Sequence, residues 1–366
     1  MRHIIRSLFS TSPVSRRRWL VLAGVTVGAL VAAAPAFGQC SCPIAYVTNQ
    51  YSNTISVVDT GVNTVIATLG TTNVENQPSD IAITPDGTRA YFTRLGSNIL
   101  SVINTDPSSS LFDTVTPINT QTGGTAPLGI AITPDDGTRA YVANESTNDV
   151  SVIDTNPSSP TYNRLIAIIP VGTDPVEVAV SRNGEKVYVT NQGSNSVSVI
   201  NTDTNKVVDT IPLGSSKPGG VAFAPYGHFA YMANQNENTV SVIDTITNKV
   251  IDTIKVGTTP LLIAFSPHRH LAYVTNSGSN SVSVIDTDTD KVVQTIPVGT
   301  YPAGVAVTRD GNRVYVVNFN FGDAGSVSVI DTKPTSPTFN TVLKTIEVQS
   351  GPREIVITPF GVEYCR

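Results

Sequence analysis

Seven prolines recur along the 366-residue chain, at Pro78, Pro127, Pro175, Pro218, Pro260, Pro302 and Pro352. The second residue after each forms a series: Asp80, Gly129, Glu177, Gly220, Leu262, Gly304 and Glu354. Three acids at equivalent positions of a repeat can be gathered at one point. There they have two chemical uses. Their oxygens can hold a hard cation such as Ca²⁺, or one carboxylate can take a proton as a general base. Arg353, beside Glu354, and Arg94 are the cations placed to balance them. The plainer reading leaves the three acids solvated or paired with those arginines. The strands carrying Asp80 and Glu177 are not neighbours in the repeat order, so a shared metal requires a narrow channel.

Positioning such a series requires a regular frame, and the repeats supply it. A tetrad of the form YVTN starts at Tyr46, Tyr91, Tyr141, Tyr188, Tyr231, Tyr273 and Tyr315. A second, SVID or SVIN, starts at Ser56, Ser101, Ser151, Ser198, Ser241, Ser283 and Ser328. The proline motif P-x-x-[VI]-[AV]-[VIF] is the third. Each copy reads as four short β-strands. In VAVTRDGNRVYVVN (305–318), two alternating apolar runs flank a Gly-containing turn suited to a hairpin. SVSVIDT (326–332) is a third strand, and KVVQTIPVG (291–299) shows the fourth. Four antiparallel strands in each of seven units predict an all-β, seven-bladed β-propeller. The first unit lacks its own proline strand and the C-terminus has a spare one, so the C-terminal strand is expected to complete the first blade and close the ring.

The tetrads YVTN, SVIDT and TPDG resemble the YVTN-repeat β-propeller family, of the surface-layer and secreted type, over about residues 43–366. The resemblance implies that the proline strand is innermost and VVDTI outermost, so the loops after YVTN and those before the proline share one face. It also brings in kinship with lactonase, lyase and quinoprotein propellers. Such motifs specify a fold far better than a function.

Residues 1–38 stand apart. They hold five arginines and no acid, then an apolar run from Trp19 to Ala34 and a small-residue stretch. That order is a cleaved secretory signal, and SRRRWL (15–20) resembles a twin-arginine signal. Its removal takes the net charge from −5 to −10, because five positive charges leave and no negative ones do. So acidic a product is a poor ligand for nucleic acid. The three cysteines, Cys40, Cys42 and Cys365, lie at the two ends of the mature chain, and a bridge from Cys365 to Cys42 or Cys40 is expected in an oxidising compartment.

Other candidates are weaker. The tetrad asparagines (Asn49, Asn144, Asn191, Asn234, Asn276 and Asn318) read as turn-closing residues. His228, His268 and His270 sit in turns with no acid in the pattern to join them. Phe319 and Phe321, in the loop of the last blade, are candidate partner contacts or packing residues. No G-x-S-x-G, H-E-x-x-H, P-loop or C-x-x-C-H motif is present. The expectation is therefore an exported, monomeric, non-catalytic binding or surface scaffold, without a cofactor, for an envelope or extracellular protein or polysaccharide. It has no transmembrane segment once the signal is cleaved. The alternative is a lactonase- or lyase-like enzyme using the acidic mouth, with or without a divalent metal.

Overall fold

The strand pattern closes into a ring of seven four-stranded antiparallel sheets in the computed structural model, which describes residues 43–71, 77–121, 124–321 and 324–359. Residues 1–38, read above as a cleaved signal, and the three cysteines lie outside the described residues. Blade 1 takes Pro352–Ile357 as its innermost strand, followed by Ile44–Asn49, Thr54–Asp59 and Thr64–Gly70. The C-terminal strand thus closes the ring as expected, pairing antiparallel with the first tetrad strand. The other blades follow in chain order, with innermost strands Pro78–Ile83, Pro127–Ile132, Pro175–Val180, Pro218–Phe223, Pro260–Phe265 and Pro302–Val307. Each touches the next around the channel, and Pro302–Val307 touches Pro352–Ile357. Helix among the described residues is limited to the 3₁₀ turn Glu145–Thr147, and none of it is long and apolar enough to cross a membrane.

The apolar core is divided among the seven blade interfaces. The cluster joining blade 7 to blade 1 sets Val317, Val327 and Val329 against Ala45, Val47 and Ile355. Middle strands are buried on both faces, which is why their sequence is nearly continuous Val, Ile and Ala rather than alternating. The outermost strands are largely exposed, and Thr64–Gly70 alternates between exposed and covered residues, as a one-sided strand does.

Each tetrad residue has a separate mechanical role. The tyrosines are buried and their hydroxyls reach into the following blade. Tyr46 donates to Asp113 at 2.6 Å, Tyr188 to Asn248 at 2.7 Å and Tyr91 to Asn163 at 3.0 Å. Tyr315 donates to Asn63 at 2.5 Å, joining blade 7 to blade 1. The acceptors sit in the turns between third and fourth strands, in the left-handed region (Asn63 at φ 56°, Asp113 at 60°), which Asn and Asp tolerate better than other non-glycine residues. Only Tyr273, among the seven, leaves its hydroxyl without a partner. The asparagines are not turn-closers as expected. They are buried, and each Nδ2 spans the hairpin to hydroxyls or a carboxylate five to ten residues on, as in Asn191 to Ser196 (3.1 Å) and Ser198 (3.0 Å).

Candidate functional site

The third tetrad residue prepares the channel. Every inner strand breaks register just after its proline, for example between Pro78 and Ile81 and between Pro175 and Glu177. Such an irregularity frees a backbone N–H and re-aims a side chain. The tetrad threonine takes up the freed N–H: Asp80 donates to Thr93 Oγ1 at 3.0 Å, and Glu354 to Thr48 Oγ1 at 3.0 Å. The same hydroxyls donate across to the next inner strand, Thr48 to the Ser79 carbonyl (2.8 Å) and Thr93 to the Leu128 carbonyl (2.7 Å). Thus Asp80, Leu262 and Glu354, whose blades carry threonine at that tetrad position, are held at the channel wall.

Glycines decide which of those side chains meet. A Cβ on Gly129 would stand 2.7 Å from Glu177 Cα and 2.9 Å from Glu177 Oε1. Glu177 therefore lies across the place where blade 3 would have a side chain, toward Asp80 of blade 2. Asp80 reaches the same blade from the other side, where its Oδ2 accepts the Ile130 N–H at 2.7 Å. Its Oδ1 accepts from Ile81 at 2.7 Å. Glu354 likewise lies over Gly304, whose Cβ would be 2.8 Å from Glu354 Oε1. The absence of a side chain between blades 2 and 4 brings together two acids from blades that do not touch.

Electrostatically the three acids form one group. Burial pushes Asp80 up to about 6, against the opposing effects of the two backbone N–H groups, Arg353 and a hydrogen bond from Glu177. Glu177 and Glu354 are driven well above the ordinary glutamate range, first by burial and then by neighbouring carboxylates. Asp80 and the two glutamates therefore all hold their protons more tightly than ordinary carboxyls, and they titrate as one coupled group. Asp80, Glu177, Arg353 and Glu354 all line a cavity of about 430 Å³ at the channel mouth. No group of three or more His, Cys, Asp or Glu among the described residues is gathered closely enough to hold a metal ion.

Phe319 and Phe321 line the same cavity, in both of the roles considered for them. Phe319 is 7% exposed and packs edge-on to Tyr51 of blade 1, with ring centroids 5.2 Å apart. Phe321 is 62% exposed and stands edge-on to Tyr301 at 4.7 Å. Sequence reasoning missed Tyr51 and Tyr301, and it missed Gln50, Gln192 and Gln235, which also face the cavity. The signal for the glutamines was available, since they immediately follow the tetrad in blades 1, 4 and 5. Arg94 is elsewhere. It ends the strand Arg89–Arg94 opposite Pro78, is 1% exposed, and does not line the cavity. His270 gains an acid that the motif pattern did not supply: its Nδ1 contacts Asp288 while its ring stacks on Tyr226 at 4.6 Å.

Comparison with known proteins agrees with this architecture. A functionally unknown protein from Desulfotomaculum acetoxidans superposes with a TM-score of 0.71 at 19% identity, covering 86% of this chain and 98% of that one. Hydrazine synthase of Kuenenia stuttgartiensis gives 0.64 at 20% identity, covering 78% and 90%. The dihydro-heme d1 dehydrogenase NirN, solved in complex with DHE, gives 0.62 at 14%, covering 90% and 78%. At these identities the likeness is one of fold. No curated protein sequence matches the chain. Residues 36–174 and 124–249 match the family described as lactonase, 7-bladed beta-propeller, and together these stretches span more than half of the sequence. The chain belongs to that family.

Proposed function

We propose that the protein binds a small polar, ring-bearing molecule at the channel mouth and hydrolyses an ester bond within it, a lactone being the substrate class that the family's name suggests. The observation that carries this reading is the juxtaposition of Asp80 and Glu177 over Gly129 inside a cavity of about 430 Å³. In this reading Asp80 acts as the ionised carboxylate and Glu177, raised by burial and by its acidic neighbours, as the protonated one, which are the two states that hydrolysis needs. As water attacks the carbonyl carbon, Asp80 takes a proton from it. The ring C–O bond breaks, and Glu177 protonates the departing oxygen. The product is a hydroxy acid, and the proton on Asp80 passes to Glu177 along the hydrogen bond that joins them. Arg353 provides positive charge beside the developing oxyanion. The aromatic wall of Tyr51, Tyr301, Phe319 and Phe321 offers ring faces to the ligand, and the glutamines offer amides. No step passes through a divalent ion.

Hydrolysis of a panel of γ- and δ-lactones of sugar acids, followed by pH-stat titration, tests the reading. Turnover should rise through about pH 6 as Asp80 ionises and should fall roughly 100-fold or more in Asp80→Asn and Glu177→Gln. Binding of panel members without turnover in either form would return the protein to the non-catalytic scaffold of the YVTN surface-layer type. Export is a separate part of the proposal, and the N-terminal sequence of the native protein tests it.

A further inference from the structure

Blade 2 departs from the other six at one place. In those six blades the last tetrad residue is a buried Asn, and its Nδ2 bridges to the side chains of two residues on the partner strand. In blade 2 the Asn is replaced by Arg94. The nearer bridging position, held by Thr54, Asp149, Ser196, Thr239, Ser281 and Ser326 elsewhere, is Ile99. The farther position is still serine, Ser101, opposite Phe92 in the ladder.

The double replacement strands a set of donors. Arg94 is 1% exposed, and neither its Nε nor its Nη2 has a hydrogen-bond partner. No salt bridge to Arg94 occurs among the described residues. The Ser101 and Ser97 hydroxyls are likewise covered and unpartnered. Ser97 lies in the turn after Arg94, its N–H bonded to the Arg94 carbonyl at 3.0 Å. Equivalent serines in other blades, such as Ser194 and Ser279, are bonded to the hydroxyl that Ile99 replaces. A buried guanidinium without a counter-charge is costly. It becomes favourable when an oxyanion accepts from two of its N–H groups.

We propose that Arg94, Ser97 and Ser101 form an anion-binding site in blade 2, separate from the channel cavity, for a small oxyanion such as sulfate, phosphate or a carboxylate. The guanidinium supplies two N–H donors and the charge, and the two serines supply hydroxyl donors. Ile99 excludes the side-chain bridge that would otherwise occupy them. The site lies on the face of the cavity, because Leu95, next in the chain, donates to the carbonyl of Gln77 just ahead of the proline strand that carries Asp80.

The test is a thermal-shift titration of the full protein with millimolar sodium sulfate or phosphate, balanced with sodium chloride to constant ionic strength. A saturable rise in Tm of about 4 °C at a hundred-fold excess over Kd is expected. It should vanish in Arg94→Asn and in the folding control Arg94→Asn/Ile99→Thr, which rebuilds the bridge of the other blades. Ser101→Ala should weaken binding several-fold. An equal rise in the Arg94 variants, or a rise that does not saturate, overturns the proposal, since an excluded salt acts that way. Glu75, the one acid between Asp59 and Asp80, supplies the final control. Saturable binding that appears only in Glu75→Gln would assign the guanidinium to the chain's own carboxylate and overturn the proposal.

Discussion

Neutralising Asp80 should change how stability depends on pH, with a direction that is specific to a buried acid. In the folded protein Asp80 ionises at about 6, against 3.8 as its ordinary value. A raised carboxyl binds its proton more tightly in the folded state than in the unfolded one. Its contribution is therefore fully present below about pH 4 and is lost as pH rises through about 6. A difference of about two units, at 1.36 kcal/mol each, makes the loss roughly 3 kcal/mol. The raised glutamates act in the same direction. Acids held below their ordinary range by hydroxyls and turn amides, such as Asp154 and Asp331, act oppositely, and only as pH falls below their unfolded values. The window from pH 4.5 to 7 thus reports the raised acids, the channel group together with the turn residues Asp113 and Asp290, and comparison with Asp80→Asn singles out Asp80 among them. Urea denaturation across that window should show the parent protein losing stability as pH rises, and Asp80→Asn losing roughly 2 kcal/mol less, the part of the Asp80 loss that falls above pH 4.5. Parallel curves for the two proteins would refute the assignment of a buried, proton-retaining Asp80.

The remaining predictions concern packing and the cavity. Tyr315→Phe removes the hydroxyl that joins the last blade to the first and leaves the Asn63 side chain short of one partner. A loss of about 1 kcal/mol is expected in the same denaturation assay, whereas Tyr273→Phe, whose hydroxyl has no partner, should cost less. Gly129→Ala places a methyl 2.7 Å from Glu177 Cα, which should destabilise the protein by about 1–3 kcal/mol and displace the acid from Asp80, reducing lactone turnover. Phe321→Ala should weaken ligand binding with a Tm close to the parent's, because the ring is 62% exposed; Phe319→Ala, buried against Tyr51, should lower both.

The frame was legible in the sequence because a propeller repeats its solution: seven copies of three motifs leave blade number, strand number and closure little freedom. The site was only partly legible. Asp80, Glu177 and Glu354 stand out because their siblings are glycine or leucine, and those glycines are what let the acids approach. Read as adjacency alone, the gap between the blades of Asp80 and Glu177 counted against their meeting. Read as side-chain volume, Gly129 between them is the reason they meet. Arg94 was drawn to the mouth by its position in the tetrad, but its length and the loss of the Thr or Ser at Ile99 leave it buried away from the cavity. The role of the tyrosines could not be read locally, since each acceptor lies in another blade; Tyr315 and Asn63 are 252 residues apart.

Protonation at the channel mouth can be observed without knowing the substrate. Infrared difference spectroscopy on isotopically matched samples of the parent and Glu177→Gln at pH 7 reads the carbonyl stretch of protonated carboxyl groups. The expected result is a protonated-carboxyl band in the parent that is lost in the variant and is not lost in the control Asp106→Asn, whose carboxyl the Ser108 hydroxyl and amide hold below its ordinary range. A parent spectrum at pH 7 with ionised carboxylates alone would contradict it.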